Sequence, residues 1–403
     1  MGCLECGKCA GKGVLIKAKK VVPIRLEERA LLDGLVKKAN YSKEPCDYAY
    51  QLMKNSPERA EAVLQEKVVP PYEVEVQPSG RCNLECKHCL GRKFKALPNK
   101  MGDSEMRTVI DRINDFTDNG FRTEVIKFCG TTGEPLVNPA IRAGIERAKE
   151  LGKKVIVFTN GVLIKRFEDD LLKADKINLS LDAGTAETFR YLKNKDKFGQ
   201  VIEGLGDLLE RRRELGQKTP RVVASYVIGS KNLGDVEIAP RLMSHLGVDD
   251  MLFRVDFTNL RWVKRNLDKI KTKLDIAKSY AKPGFNVVAV YENEDLGKNG
   301  TAFSSYKFGC YNHNFWACVG PNAQLYFCGH RTHGEVKSSG SLLDHTMREL
   351  WVSDKRKEMI ETLPDKYCKV CSPSSHARNE IMSLLAHLGM PAFYEAKQRI
   401  LAR

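Results

Sequence analysis

Residues 72–257 alternate between two hydrophobic patterns. Short apolar runs, rich in β-branched residues, are separated by longer stretches in which apolar positions recur every three or four residues. The first pattern is typical of buried strands and the second of amphipathic helices. The predicted strands are residues 72–76, 125–129, 154–159, 177–181, 222–228 and 251–255, and the predicted helices are residues 104–119, 139–151, 186–192, 198–214 and 233–246.

This alternation favours a parallel α/β architecture. Six strands followed by helices are too few for an eight-fold barrel, so we predict a partial (β/α)6 TIM-like barrel. Ser104 fits a helix N-cap, and Gly120, Gly152 and Gly247 fit helix ends. A further short strand is expected at residues 286–291.

Two breaks divide the chain. Pro70-Pro71 and Pro283-Gly284 interrupt the pattern. We therefore predict a helical, cysteine-containing extension at residues 1–70, the barrel at 71–285 and a small cysteine-rich domain at 286–403. The last domain is expected to end in a helix whose core residues are Leu384, Leu385, Leu388 and Phe393.

Composition narrows the class of protein. The chain has 403 residues, of which 42% are hydrophobic, and this is a globular composition. No apolar run reaches membrane-spanning length and the N-terminus lacks a signal-peptide core, so we expect a cytoplasmic protein without a membrane partner. The net charge of +15 predicts solvated basic helix faces, with a nucleic acid or an acidic peptide as alternative partners. No RNA-module motif with interleaved aromatic residues is present.

Three of the thirteen cysteines form the spacing C-x3-C-x2-C at Cys82, Cys86 and Cys89. Tight cysteine clusters in a large chain favour metal binding in a reducing compartment. Three thiolates on a four-iron cluster leave one iron without a protein ligand, so the spacing indicates a reactive cluster. The alternative is zinc, which would need His88 or a distant residue as a fourth ligand and would strain the loop.

Further short motifs follow this loop. They are Gly133-Glu134-Pro135, Thr159-Asn160-Gly161 and Ser180-Leu181-Asp182. With the cysteine loop they resemble the radical S-adenosylmethionine (SAM) superfamily from about residue 72 to residue 257. Every motif follows the carboxyl end of a predicted strand, where reacting groups collect in parallel barrels.

The resemblance implies that SAM chelates the open iron, accepts one electron and breaks to a 5′-deoxyadenosyl radical. It implies a low-potential electron donor such as flavodoxin or ferredoxin. Gly133 and Glu134 would bind the methionyl amine, while Ser180, Asp182 and Asn160 would bind the ribose or carboxylate. His88 would lie near the adenine, above an apolar floor at residues 227–229. Thr132 departs from the family's usual Gly-Gly-Glu-Pro and puts individual contacts in doubt.

Cys129 lies immediately before the glycine-containing turn. Its thiol could return a hydrogen atom to a substrate radical, as in an epimerase. The alternative is a small apolar residue of the barrel core, which is the usual role of a buried cysteine.

Downstream cysteines resemble the shortened, "twitch" form of the SPASM domain. The expected ligands of one auxiliary four-iron cluster are Cys310, Cys328, Cys368 and Cys371, and Cys318 could replace one of them. Zinc is the alternative because four thiolates also satisfy it.

A third metal site is possible at Cys3, Cys6 and Cys9, with Cys46 as a fourth ligand. The alternative there is a tail of reactive thiols.

Four functions are compatible with these features. The first is a radical oxidoreductase acting on a small polar molecule, in which the auxiliary cluster accepts an electron. The second is a maturase that modifies a peptide, and the third is a nucleic-acid-modifying enzyme. The fourth is a non-catalytic metal-binding protein, which would not need motifs on successive strands.

Overall fold

The computed structural model describes residues 29–30, 32–34, 36, 56–256, 259–289, 309–364, 368 and 373–402. The predicted ligands Cys3, Cys6, Cys9, Cys46 and Cys371 lie outside these residues. Within the described part, no helix is long and apolar enough to cross a membrane.

Twelve strands are found in the described residues. They are β1 (Glu73–Val76), β2 (Thr117–Asp118), β3 (Phe121–Arg122), β4 (Val125–Phe128), β5 (Lys154–Thr159), β6 (Lys176–Ser180), β7 (Arg221–Ile228), β8 (Asp250–Val255), β9 (Asn286–Ala289), β10 (Trp316–Val319), β11 (Gln324–Tyr326) and β12 (Gly340–Ser341).

Ten of these strands form one sheet in the order β12-β11-β10-β1-β4-β5-β6-β7-β8-β9. All pairs from β10 to β9 are parallel, whereas β11 and β12 add an antiparallel edge. The expected mixed α/β class with a parallel, partial TIM-like sheet is therefore confirmed. β10 pairs with β1, so one sheet contains strands from both sides of the predicted boundary at residue 285.

Helices connect the strands and extend to the end of the described chain. They span Pro57–Leu64, Asp103–Asp115, Ile141–Glu150, Glu168–Leu171, Ala186–Lys193, Phe198–Glu214, Ile238–Leu246, Leu260–Arg265, Leu267–Lys278, Met347–Val352, Asp354–Glu361, Pro373–Leu388 and Met390–Leu401. The stretch predicted as one helix at 233–246 is a 3-10 turn, Leu233–Val236, followed by an α-helix.

Two predicted helix boundaries were wrong. The N-cap is Gly102, whose backbone N–H donates to the carboxylate of Glu105 at 2.8 Å, so Ser104 lies inside the helix. That helix ends at Asp115, and Gly120 instead adopts φ +78° in the turn between β2 and β3. Gly247 does close its helix, with φ +87°.

The main core lies between the sheet and its helices. Side chains alternate along the strands, so that Val155 and Val157 of β5 are fully buried whereas Ile156 and Phe158 are partly exposed on the inner face. The inner face also carries polar side chains, including Glu75 of β1 and Asn178 of β6. At the carboxyl ends of the strands, this polar inner face borders the loops that carry the sequence motifs.

A second hydrophobic core joins the two ends of the chain. Leu32, Ala60 and Val63 pack in one cluster with Leu385 and Phe393. The expected terminal helix is present as two helices separated at Gly389. The described part of the N-terminal region therefore packs on the C-terminal helices.

Candidate active site

The cysteine loop follows β1 and is fixed by its backbone. The N–H groups of Glu85 and Lys87 donate to the carbonyls of Lys193 and Leu192, at 3.2 and 2.8 Å. Cys82 is exposed, whereas Cys86 and Cys89 are partly buried. The end of the helix Ala186–Lys193 thus holds a loop that presents one thiol to solvent.

The donors around the loop fit a cluster thiolate. The Leu84 N–H donates to the Cys82 sulfur at 3.4 Å, and the Asn160 amide nitrogen lies 3.7 Å from the same sulfur. Although Cys82 is exposed as a residue, desolvation of its sulfur by neighbouring atoms raises the pKa of Cys82 to about 11. Metal binding must therefore displace thiol protons, and donors to sulfur stabilise the charged form.

Among the described residues, no three His, Cys, Asp or Glu side chains converge on a position for one metal ion. A four-iron cluster binds each thiolate through a different iron, so its ligands surround the cluster rather than meeting at a point. The exposed loop, its three thiols and the donors to Cys82 fit that kind of group.

The turn Gly130–Pro135 packs against the start of the cysteine loop. A Cβ atom on Gly133 would lie 2.0 Å from the Ser79 carbonyl oxygen, which no side chain permits. The next residue, Glu134, donates its N–H to the Arg81 carbonyl at 2.9 Å. Thr132, the departure from the family motif, is accommodated with its hydroxyl 3.5 Å from the Gly80 carbonyl. Close backbone packing therefore explains the glycine at 133.

The Glu134 carboxylate ties β4 to β5. It accepts hydrogen bonds from the Thr159 hydroxyl at 2.7 Å and from the backbone N–H groups of Asn160 and Leu136, at 2.8 and 3.2 Å. Burial raises its pKa to about 7. Three protein donors therefore hold this carboxylate in place between the ends of β4 and β5.

Asp182, just after β6, forms the electrostatic centre of the site. Its carboxylate pairs with the buried Lys193 ammonium, lies 3.1 Å from the His88 Nε2 atom and accepts the Val227 N–H at 2.8 Å. Burial opposes ionisation of Asp182, but Lys193 and His88 outweigh it and hold its pKa below the usual range. Lys193 also acts on Cys86, where it lowers a thiol pKa that burial raises.

The structure therefore brings most predicted site residues together. Asn160 connects the end of β5 to the cysteine loop through Asn83, at 2.7 Å, and His88 connects the loop to the end of β6. Ser180 is partly exposed at the end of β6, in register with Ser225 of β7. Their roles toward SAM stay predictions.

A family model described as "Radical SAM superfamily" matches residues 76–238. The chain contains a radical SAM domain. The match covers the cysteine loop and every motif at the strand ends.

Curated relatives resemble part of the chain. The GTP 3′,8-cyclase of Streptomyces coelicolor is 32% identical over 167 residues, which are 40% of this chain and 46% of that protein. The GTP 3′,8-cyclase of Helicobacter pylori is 28% identical over 170 residues, or 41% of this chain and 51% of that protein. The chain spans about half the length of these relatives.

Solved structures share the fold over a longer stretch. Streptococcus suis SuiB bound to the precursor peptide SuiA superposes with a TM-score of 0.55 at 16% identity, covering 85% of this chain and 82% of that one. Native anSMEcpe with bound AdoMet and the Cp18Cys peptide gives 0.50 at 16% identity, covering 77% and 88%. At these identities the likeness concerns the fold alone.

Cys129, just after β4, is hydrogen-bonded to Glu75 in a polar cluster on the inner face of the sheet. Glu75 is 3.0 Å from the Lys127 Nζ atom and accepts from Gln77 at 3.0 Å, and Gln77 also lies 3.3 Å from the Cys318 sulfur. Burial raises the thiol pKa of Cys129 and of Cys318. A neutral thiol fits both the hydrogen-donor and the core interpretation of Cys129.

Two of the predicted auxiliary ligands lie beside one arginine. Arg331 donates its backbone N–H to the Cys328 carbonyl at 3.0 Å, and its Nη1 atom is 3.6 Å from the Cys368 sulfur. Cys310 is partly buried. Since Cys371 lies outside the described residues, the four-ligand set stays a prediction.

The sequence analysis missed Lys193 and Glu75. Neither was singled out from the sequence, yet both are at least 95% buried. The position of Lys193, at the end of the helix that begins after Ser-Leu-Asp, was the available signal. For Glu75, a carboxylate on the inward side of a strand was the corresponding signal.

Proposed function

We propose that the protein cleaves SAM reductively at a four-iron cluster held by Cys82, Cys86 and Cys89, and that the 5′-deoxyadenosyl radical then abstracts hydrogen from a substrate. The observation that carries this proposal is the contact of three strand ends with one loop. Glu134 after β4 donates its N–H to Arg81, Asn160 after β5 reaches Cys82, and His88 of the loop reaches Asp182 after β6. When bound, the cluster supplies the electron that splits the sulfonium.

The residues around the loop have separable tasks. Lys193 places a buried positive charge near Cys86 and Cys89, where thiolates gather negative charge. Asp182 fixes His88 from one side and the backbone of β7 from the other. Gly133 lets its turn pack directly on Ser79, where a side chain would collide with the Ser79 carbonyl.

SAM cleavage tests this proposal directly. Anaerobically reconstituted protein with dithionite should convert SAM to 5′-deoxyadenosine, and Cys86→Ala should abolish the conversion. Cys129→Ala is the matched control, because it removes a thiol from the sheet and not from the loop. A Cys86→Ala variant that cleaves SAM as fast as the parent would disprove the assignment.

We further propose that the net reaction is an oxidation. Cys310, Cys328, Cys368 and Cys371 would hold an auxiliary four-iron cluster, which would supply an electron acceptor. The support is that Arg331, in the turn that follows Cys328, lies 3.6 Å from the Cys368 sulfur, so two cysteines that are distant in the chain lie in the same region. The substrate would lose one hydrogen atom to the 5′-deoxyadenosyl radical, then one proton and one electron.

Iron content tests the second cluster. The parent should bind about eight irons, and the double variant Cys368→Ala/Cys371→Ala about four. An unchanged iron content in the double variant would contradict an auxiliary cluster at these cysteines. One zinc ion per parent chain at this site would instead indicate a structural zinc site.

The inner face of the sheet bears on the substrate class. Relatives named GTP 3′,8-cyclase raise a nucleoside triphosphate as a candidate. Glu73 and Glu75 both lie within 3.0 Å of Lys127, so two carboxylates share one ammonium on this face. This local pair of carboxylates disfavours a phosphate group next to Lys127, and we propose a small polar molecule or a peptide as the substrate. An anaerobic metabolite screen that follows deuterium into 5′-deoxyadenosine would identify the class.

A further inference from the structure

Positive charge is concentrated around the cysteine loop. Between positions 81 and 100 the chain carries six cationic residues and one acidic residue. These six and Lys231, all exposed, are called the basic collar here: Arg81, Lys87, Arg92, Lys93, Lys95, Lys100 and Lys231. The acidic residue, Glu85, is already paired with Lys195 at 2.9 Å and bonded to Asn194 at 3.1 Å. The collar therefore presents positive charge with little local compensation.

Part of the collar is ordered around an exposed aromatic ring. Tyr191 is 44% exposed, with the Lys87 Nζ atom 3.7 Å from its ring centroid and the Lys231 Nζ atom 5.7 Å away. Cation–π contacts of this kind fix lysines that would otherwise move freely. The patch lies beside the loop, because Lys87 is a loop residue between Cys86 and Cys89.

We propose that the basic collar is the docking surface for an acidic one-electron carrier of the flavodoxin or ferredoxin class. This inference rests on the proposed function, which needs one electron per SAM cleaved. In the exchange the carrier loses one electron and the site held by the loop gains it, with no proton transferred. Electron transfer weakens steeply with distance, so the carrier must dock close to the loop. Opposite charges accelerate such encounters.

The arrangement favours a protein carrier over a nucleic acid. Single-stranded nucleic acid binds where bases stack on free aromatic faces. Lys87 already covers one face of Tyr191, and Lys231 also approaches the ring. Cys82, the exposed thiol of the loop, lies directly beside Arg81 of the collar.

The test compares two electron donors on the reconstituted full chain. Reduced flavodoxin is an acidic protein, whereas reduced methyl viologen is a small cation that needs no docking surface. Lys93→Glu/Lys231→Glu reverses two exposed charges of the collar. Lys269→Glu/Lys271→Glu makes the same charge change on an exposed helix face elsewhere. The measurement is the initial rate of 5′-deoxyadenosine formation with each donor.

We expect the collar variant to lower the flavodoxin-driven rate at least about fivefold at low salt, and the difference to shrink below about twofold at high salt. Its viologen-driven rate should stay within about twofold of the parent rate, as should both rates of the control variant.

Two outcomes would overturn the inference. These are equal flavodoxin-driven rates in the two double variants, and equal losses of rate with both donors. If the parent does not cleave SAM even with methyl viologen, the proposed function itself fails.

Discussion

Lys193 and Asp182 form an ion pair that is almost completely removed from solvent, with side chains 3% and 6% exposed. The pair lies under the cysteine loop, and Asp182 also contacts His88 of that loop. Lys193 is the last residue of the helix Ala186–Lys193, and its carbonyl accepts from Glu85. One helix end therefore supplies both a backbone support for the loop and a buried charge beneath it.

Removing this lysine should destabilise the fold. Lys193→Met leaves the Asp182 carboxylate buried without its ammonium, which costs about 3–5 kcal/mol in comparable cases. Lys195→Met is the control, because Lys195 is 44% exposed and solvent screens its pair with Glu85. Urea unfolding of both metal-free variants measures the difference. Equal losses of unfolding free energy would contradict the importance of burial at Lys193.

The buried Glu134 predicts a pH dependence of stability. Burial raises its pKa from 4.5 to about 7, so between these values the folded protein holds a proton that the unfolded chain has released. The contribution of Glu134 to the free energy of unfolding is therefore full below pH 4.5. It declines as pH rises through about 7, by about 3 kcal/mol in total.

Glu134→Gln isolates this contribution, because glutamine does not titrate. Urea unfolding of parent and variant across the window from pH 4.5 to 8 should show the parent losing stability relative to the variant as pH rises. If the difference in unfolding free energy between parent and variant stays constant across this pH window, Glu134 keeps an ordinary pKa.

Gly133 should tolerate no side chain. In Gly133→Ala the new Cβ would meet the Ser79 carbonyl oxygen at 2.0 Å, so the turn or the start of the cysteine loop must move. We expect a loss of about 2–4 kcal/mol in unfolding free energy and impaired iron incorporation. Gly234→Ala is the control, since nothing lies within 4 Å of its added Cβ. Similar iron contents and stabilities in the two variants would contradict this account.

Thr131 should stabilise the fold by joining the turn Gly130–Pro135 to Gly329, the residue after Cys328. Its hydroxyl donates to the Gly329 carbonyl at 2.6 Å and accepts from Gln77 at 2.8 Å. Thr131→Val removes both bonds and should cost about 1–2 kcal/mol of unfolding free energy.

Thr132→Val is the matched control for this coupling. It keeps the β-branched shape and loses only a 3.5 Å contact to Gly80. Its stability should stay within about 0.5 kcal/mol of the parent value, on the same unfolding assay. If Thr132→Val costs as much as Thr131→Val, the two bonds of Thr131 are not the cause.

The sequence by itself determined the parallel α/β class, the six strands of the barrel and the placement of each motif at a strand end. These features depend on local periodicity and on turn residues, which are readable over a few positions. It also identified the cysteine loop, because the ligand spacing lies within eight residues. The helix end at Gly120 was wrong, because the hairpin of β2 and β3 competes for that glycine.

Only the tertiary structure decided which charged residues are buried and with which partners. Lys193 and Lys195 both lie at the end of one helix in the sequence, and only the proximity of Asp182 in the folded chain separates the buried Lys193 from the exposed Lys195. The pairing of β10 with β1 likewise joins segments that are distant in the chain, and it places Cys318 beside Glu75. Burial and long-range pairing depend on the whole packed chain, and local patterns do not encode them.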